Sequence, residues 1–307
     1  MKQPIFKTIC LLAAIVLILP ACSDPASTAR NQPVRVLAVE TFLADIAQNI
    51  AGERVKIETL MPLGLDPHTY QPTPQDVARI ADSQLLIVNG AGFEEWLAKT
   101  LENAGGKQTV IEAAAGLSSR KATQGEILDP NHAGDPHFWL DPNHVIKYAE
   151  NIRDGLIAAD PDGKAIYTQN TLQYIAQLKE LDQWIRTQVA LIPPEKRLLV
   201  TNHESFGYFA DRYGFTITGT VIPSTSSEAS PSAQQMAGLI DRIRQQKVKA
   251  IFLETGANPQ LANQIAQESG AQVITNLYTH SITAPDGEAP GYIGMMKHNV
   301  NLLSALR

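Results

Sequence analysis

The chain has 307 residues, 44% hydrophobic, 18% charged and 6% aromatic, with 20 Gly and 19 Pro; this is an ordinary globular balance that excludes a disordered chain and collagen-like or low-complexity arrays. At roughly 150 residues per domain the length suggests about two domains. Lys+Arg 25 against Asp+Glu 31 gives a formal charge of −6 with no basic stripe, so no nucleic-acid partner is expected, because phosphate binding needs a concentrated positive field.

Lys2 and Lys7 precede an apolar run from Ile9 to Leu19, followed by Pro20-Ala21-Cys22. A basic start, a short apolar stretch and a small residue before a cut site describe a secretory signal. The run is too short for a stable span, which needs about 20 residues. Leu19-Pro20-Ala21-Cys22 resembles a bacterial lipobox. Residues 1–22 are therefore expected to be a lipoprotein signal peptide, with Cys22 lipidated as the new N-terminus; an ordinary signal peptide cut nearby is the alternative. Residues 23–33 are polar and unpatterned, a tether to a membrane surface. The two cysteines are Cys10 and Cys22, so the mature domain has no disulfide, no thiolate nucleophile and no Cys metal ligand.

Apolar, β-branched runs follow at Val34–Val39, Val55–Leu60, Leu85–Val88 and Thr109–Ile111, with helical spacing over Phe42–Ile50 and Glu94–Leu101 between them. Strands alternating with helices predict a parallel sheet. From Ala165 to Val189 there is no Pro or Gly, and Leu172, Ile175, Leu178, Leu181, Trp184 and Ile185 recur at three- and four-residue steps. That spacing predicts one helix about 40 Å long, a stiff connector between two halves. The turn cluster Asp160-Pro161-Asp162-Gly163 precedes it and Pro193-Pro194 stops it. The strand pattern then returns at Leu198–Thr201, Thr216–Val221, Ala250–Leu253 and Gln272–Thr275, with helical segments Ser232–Arg244, Gln260–Glu268 and Ile293–Leu306. The organisation expected is an α/β fold of two lobes, each with a mostly parallel four-stranded sheet flanked by helices. The N-terminal lobe is residues 34–160, the connecting helix 161–192 and the C-terminal lobe 193–307.

Seven histidines are present, and four sit at comparable places. His68 lies in Gly64-Leu65-Asp66-Pro67-His68 after the second strand, and His137 in Asp135-Pro136-His137-Phe138-Trp139-Leu140-Asp141-Pro142 after the fourth. His203 directly follows the first strand of the second half, and His280 follows its last. Loops leaving the carboxyl ends of parallel strands bind ligands in open α/β sheets. Two histidines from each half can thus converge on a cleft between lobes. A single His beside Asp and Pro reads more simply as a turn residue; four at equivalent places argue for a metal site. His132 and His144 are expected at the surface or behind the ligands, and His298, inside a helical segment, is expected to be structural.

Gly64-Leu65-Asp66-Pro67-His68-Thr69-Tyr70 with Pro72-Thr73-Pro74, the motif around His137, His203-Glu204-Ser205-Phe206-Gly207-Tyr208-Phe209 and Met295-Met296-Lys297-His298-Asn299 together resemble the bacterial cluster A-I substrate-binding proteins. These are the zinc and manganese receptors of ABC importers. The resemblance runs from about Val34 to Arg307. It implies two α/β lobes, a long connecting helix and a metal between the lobes. Its third motif carries His in zinc-type members and often a carboxylate in manganese-type members. The family usually has Asp before Ser in the fourth loop, where this chain has His280. His280 is expected to take over as ligand, since imidazole ligates as readily as carboxylate; Asp286 and Glu288 in the same loop are the fallback. The long His-rich loop common in zinc-type members is absent, with only His132 between Ala113 and His137.

The expected function is a non-catalytic, exported receptor, lipid-anchored on the periplasmic or cell-surface side of a bacterial membrane. It would capture a divalent metal as a monomer and hand it to an ABC permease. Four imidazoles suit Zn²⁺ first; Mn²⁺ prefers oxygen ligands. A surface adhesin or chaperone using metal structurally is the alternative. A metallohydrolase is less well supported: three His plus water would suffice for catalytic zinc, with Glu204 as base. But His203-Glu204 lacks the second His of His-Glu-x-x-His, and no Gly-x-Ser-x-Gly elbow occurs.

Overall fold

The computed structural model describes residues 34–120 and 134–307. The signal peptide, Cys22, the tether and His132 lie outside the described residues. Strand β1 (Val36–Ala38) leads into helix α1 (Thr41–Ala51), followed by β2 (Ile57–Thr59), α2 (Pro74–Asp82), β3 (Leu85–Val88), α3 (Leu97–Asn103) and β4 (Thr109–Glu112). These four strands form a parallel sheet in the order β2-β1-β3-β4. Two long helices come next, α4 (Pro142–Ala159) and α5 (Lys164–Val189). The second sheet is built from β5 (Leu198–Thr201), α6 (Gly207–Tyr213), β6 (Thr216–Thr220), α7 (Ala233–Gln246), β7 (Ala250–Glu254), α8 (Pro259–Ser269) and β8 (Gln272–Leu277). It repeats the first in parallel order β6-β5-β7-β8, and α9 (Gly291–Leu303) closes the chain. The eight strands and the long helix lie where the apolar runs predict them, within a few residues.

Three helices, α2, α4 and α6, lie outside the helical segments named from the sequence, although α4 buries Val145, Tyr148, Ala149, Ile152 and Leu156 at three- and four-residue steps. The starts of α2 and α4 are written in capping residues. Thr73 accepts from the Asp76 backbone N–H at 3.3 Å while Asp76 Oδ2 takes the Thr73 N–H at 2.9 Å, with Pro74 at the first helical position. Asp141 caps α4 through the Asn143 N–H at 2.9 Å, again with Pro next. The second Asp-Pro of the His137 motif is therefore a helix start, and the first is a ligand loop.

The connecting helix buries Leu178, Leu181 and Ile185 of the predicted apolar face, but its first turns bury tyrosines in place of Leu172. Tyr167, Thr171, Tyr174, Leu178, Leu181, Ile185 and Val189 are buried, whereas Leu172 is 63% exposed. The physical reason is its neighbours: α5 packs against α1, α4 and α9, and the tyrosines fill that crowded side. One apolar core runs through both halves by this route, joining Phe42 and Trp139 to Phe209, Phe252 and Met296. Smaller clusters lie on the outer faces, around Leu37 and Leu86 in one sheet and around Val200 and Ile251 in the other. Helix α9 returns to α1, where Asp45 accepts the Tyr292 backbone N–H at 2.8 Å. A shared core and a returning helix leave the two lobes little freedom to hinge.

Candidate metal centre

All eight strands are parallel within their sheets, so the loops after their carboxyl ends are the natural place for a site. His68 comes from the β2–α2 loop, His137 from the segment before α4, His203 from the residues after β5, and His280 from the β8–α9 loop. All four are buried, and one ring nitrogen of each lies within 4.8 Å of the others. His137 Nε2 is 3.3 Å from His68 Nε2 and 3.2 Å from His203 Nε2. A tetrahedral ion with bonds of about 2.0–2.1 Å has ligand–ligand edges of about 3.3–3.4 Å. The two spacings at His137 match such edges, and with the fourth nitrogen within 4.8 Å the set can hold one cation through nitrogen donors. His280 Nε2 is buried with no hydrogen-bond partner, an orphaned lone pair that a cation would satisfy.

Carboxylates stand behind these rings, none of them singled out by the sequence reading as working groups. Asp135 Oδ1 is 2.9 Å from His137 Nδ1 and also accepts the His137 backbone N–H at 3.0 Å. Asp66 Oδ1 accepts the His68 backbone N–H at 2.9 Å and lies 3.7 Å from His280 Nδ1. The repeated Asp-Pro-His is the signal that could have found both: a carboxylate two residues before the ring folds the loop back on itself. Glu254, the last residue of β7, sits 2.8 Å from His203 Nδ1 and 3.9 Å from His280 Nδ1. A carboxylate at Nδ1 fixes the ring and turns Nε2 toward the metal.

The electrostatics are those of paired charges under burial. Burial raises the Asp66 carboxyl, but the charges of His280 and His68 and a hydrogen bond from Ser227 hold it down to about 2. Burial likewise raises Glu254, and the charge and hydrogen bond of His203 outweigh it to hold it below its usual range. Burial lowers His203, yet Glu254 raises it above its ordinary value. His280 ends below its ordinary value, because burial outweighs Asp66 and Glu254.

Aromatic rings wall the centre. Phe93 packs edge-on against His68 at 4.9 Å and contacts His137 and His280. Trp139 stacks on Phe42 at 4.6 Å and donates its Nε1–H to Thr279 O at 2.7 Å. The two lobes are tied together around the site. Gly64 N and Thr41 Oγ1 donate to Ser281 Oγ at 2.8 and 3.3 Å, and Tyr208 donates to Asp135 O at 2.7 Å. Gly256 has φ 83°, and a Cβ there would sit 3.3 Å from the Gly64 carbonyl across the cleft; glycine meets both demands.

The other candidates lie elsewhere. His144 packs against Phe138 and Tyr208. His298 points its Nε2 at Asn276 O, 3.0 Å away. Asp286 and Glu288 are exposed, and Glu288 faces Asn276 at 3.4 Å. Glu204 accepts the Thr220 hydroxyl at 3.1 Å, behind β6.

Residues 36–306 match the family of the periplasmic zinc-uptake complex component A. The manganese-binding lipoprotein MntA of Halalkalibacterium halodurans is 32% identical over 98% of this chain and 97% of its own. The manganese ABC transporter substrate-binding lipoprotein PsaA of Streptococcus pneumoniae is 30% identical, with 98% of each chain covered. Among solved structures, the Mn-bound periplasmic metal-binding protein of Candidatus Liberibacter asiaticus is 29% identical with a TM-score of 0.77, covering 89% of this chain and all of that one. The periplasmic zinc-binding protein TroA of Treponema pallidum is 27% identical with a TM-score of 0.80, covering 89% of this chain and 98% of that one.

Proposed function

This chain belongs to the zinc-uptake component A family of periplasmic metal receptors, and from that premise we propose that it captures Zn²⁺ with His68, His137, His203 and His280. At the coarser level it is an extracytoplasmic metal-binding receptor of an ABC importer. It is not an enzyme, and it delivers metal to the permease, as its substrate-binding lipoprotein relatives do. The observation that carries the zinc reading is the donor set: four buried imidazoles within 4.8 Å of one another, with His137 Nε2 3.3 and 3.2 Å from those of His68 and His203, and carboxylates behind the rings. Nitrogen donors at tetrahedral spacing favour Zn²⁺; Mn²⁺ prefers six harder oxygen-rich ligands. Manganese is the second reading, favoured by the names of the relatives.

Four neutral imidazoles bring no charge of their own, so Asp66, Asp135 and Glu254 supply the counter-charge through the rings. Each ring must lose its proton to bind, and affinity falls as pH drops. The lipoprotein relatives support Cys22 as the acyl carrier that holds the receptor at the membrane. Among the described residues no helix is long and apolar enough to cross a membrane. Elemental analysis of purified protein followed by competitive titration tests the metal. One zinc per chain, not displaced by a large excess of Mn²⁺, is expected. Manganese in the purified protein, or a Mn²⁺ affinity within about tenfold of that for Zn²⁺, overturns the zinc reading.

A further inference from the structure

The metal centre is closed on several sides. His137 and His203 are fully buried, and Phe93 and Trp139 cover the rings. One side differs. A cleft of about 540 Å³ opens between the β2–α2 loop of one lobe and the Ser227–Pro231 and Thr255–Asn258 segments of the other. A dication with six waters occupies roughly 180 Å³ at about 30 Å³ per water, so it fits without losing its hydration shell. Asp66 and Glu254 line the cleft and also stand within 4 Å of His280 Nδ1. The His280 ring therefore separates the cleft from the centre, with Nδ1 outward and the orphaned Nε2 inward. Of the two carboxylates, Asp66 faces water: its side chain is 29% exposed against 4% for Glu254.

The geometry points to this cleft as the route by which the metal enters and leaves, with Asp66 as the carboxylate that takes the ion from water and passes it to the imidazoles. This rests on the four-histidine reading of the centre. A hydrated dication gains little from neutral rings until it sheds water, and a rim carboxylate both attracts it and replaces a water with a hard oxygen. Asp66 is held for the task. Ser227 of the opposite lobe donates to Oδ2, and the His68 N–H donates to Oδ1 at 2.9 Å. Because Asp66 is anchored from both lobes, it stays at the mouth.

A residue that helps the ion across lowers the barrier in both directions, whereas one that merely positions a ligand weakens the bound state. Stopped-flow mixing of the full chain with Zn²⁺, and of the loaded protein with a fluorescent chelator, separates the two. Asp66→Asn keeps the acceptor for His68 N–H and removes the charge. The association rate should fall about tenfold and its salt dependence should flatten, with no rise in the dissociation rate. Ala229→Trp narrows the exposed cleft wall away from the centre and should slow both rates without changing affinity. If Asp66→Asn raises the dissociation rate alone, Asp66 is a positioning residue and the relay is wrong. If both variants leave the rates unchanged, the metal takes another path. His203→Ala is measured alongside: retained Zn²⁺ binding there overturns the four-histidine reading, and lost binding with unaltered Asp66→Asn rates overturns only the route.

Discussion

Replacing Glu254 by Gln removes one negative charge from behind the metal centre without changing volume. Glu254 Oε1 is 2.8 Å from His203 Nδ1 and takes the Ser205 hydroxyl at 3.1 Å, buried at the end of β7. Losing such a partner of a metal-bound imidazole typically costs about 10–100-fold in affinity, or about 1.4–2.8 kcal/mol. The full loss is expected at pH 8, where protons no longer compete for the rings. Below that the sign of the His203 shift matters. Burial lowers its proton affinity, but Glu254 outweighs burial and raises it above 6.5. In the wild-type protein a proton therefore holds His203 to a higher pH, and metal affinity falls as pH drops through that raised value. In the Gln variant burial acts without its counterweight, and proton competition begins only at lower pH. The affinity deficit should shrink between pH 8 and pH 6, and the variant should release fewer protons on binding Zn²⁺ near pH 7. Competitive calorimetry in two buffers of different ionisation enthalpy reads both quantities. A deficit that does not vary with pH, or none at pH 8, would refute the account of Glu254 as the group that tunes His203.

His68→Ala and His203→Ala should each abolish tight Zn²⁺ binding by calorimetry, while His298→Ala, whose ring bonds Asn276 O on the far side of β8, should leave it intact; equal losses at all three would mean the site is misplaced. His280→Asp should move the metal preference toward Mn²⁺ by adding a charged oxygen donor, read by parallel titration with both metals; an unchanged preference means His280 does not ligate. Mass spectrometry of the mature N-terminus should find acyl mass on Cys22, and an unmodified chain starting elsewhere would end that assignment. Glu40 and Glu94 are buried together, and burial raises both, Glu94 to about 7 and Glu40 well above its ordinary 4.5, with Glu94's charge pushing Glu40 further. The unfolded chain releases these protons more readily, so stability should fall as pH rises from about 4.5 to about 7. Glu40→Gln should flatten that slope and raise the melting temperature at pH 8 by a few degrees; an unchanged slope in thermal unfolding would refute the pairing.

The sequence alone determined the two parallel sheets, the long helix and the four histidines. Those features are local. A β-branched run between helical segments reads as a strand of a parallel sheet wherever it occurs, and a His just past such a run lies at the binding end. The second half repeating the first made four lone histidines a set. The carboxylates behind them divide by the same criterion. Asp66 and Asp135 lie two residues before their histidines, and their Asx contacts were legible in principle from Asp-Pro-His. Glu254 carried no such signal: it ends an apolar strand, Ala250–Glu254, far in sequence from His203 and His280. Its role exists because the sheet order β6-β5-β7-β8 sets β7 between the strands that end in those two histidines. Strand order is decided by long-range pairing, which no local pattern encodes. The face of α5 was decided in the same way. Tyr167 and Tyr174 share one face with Leu178 and Leu181, and only the packing of α1, α4 and α9 against that side buried them and left Leu172 in water. Periodicity tells that a helix has an inner face, but the volume its neighbours leave decides which side chains fill it.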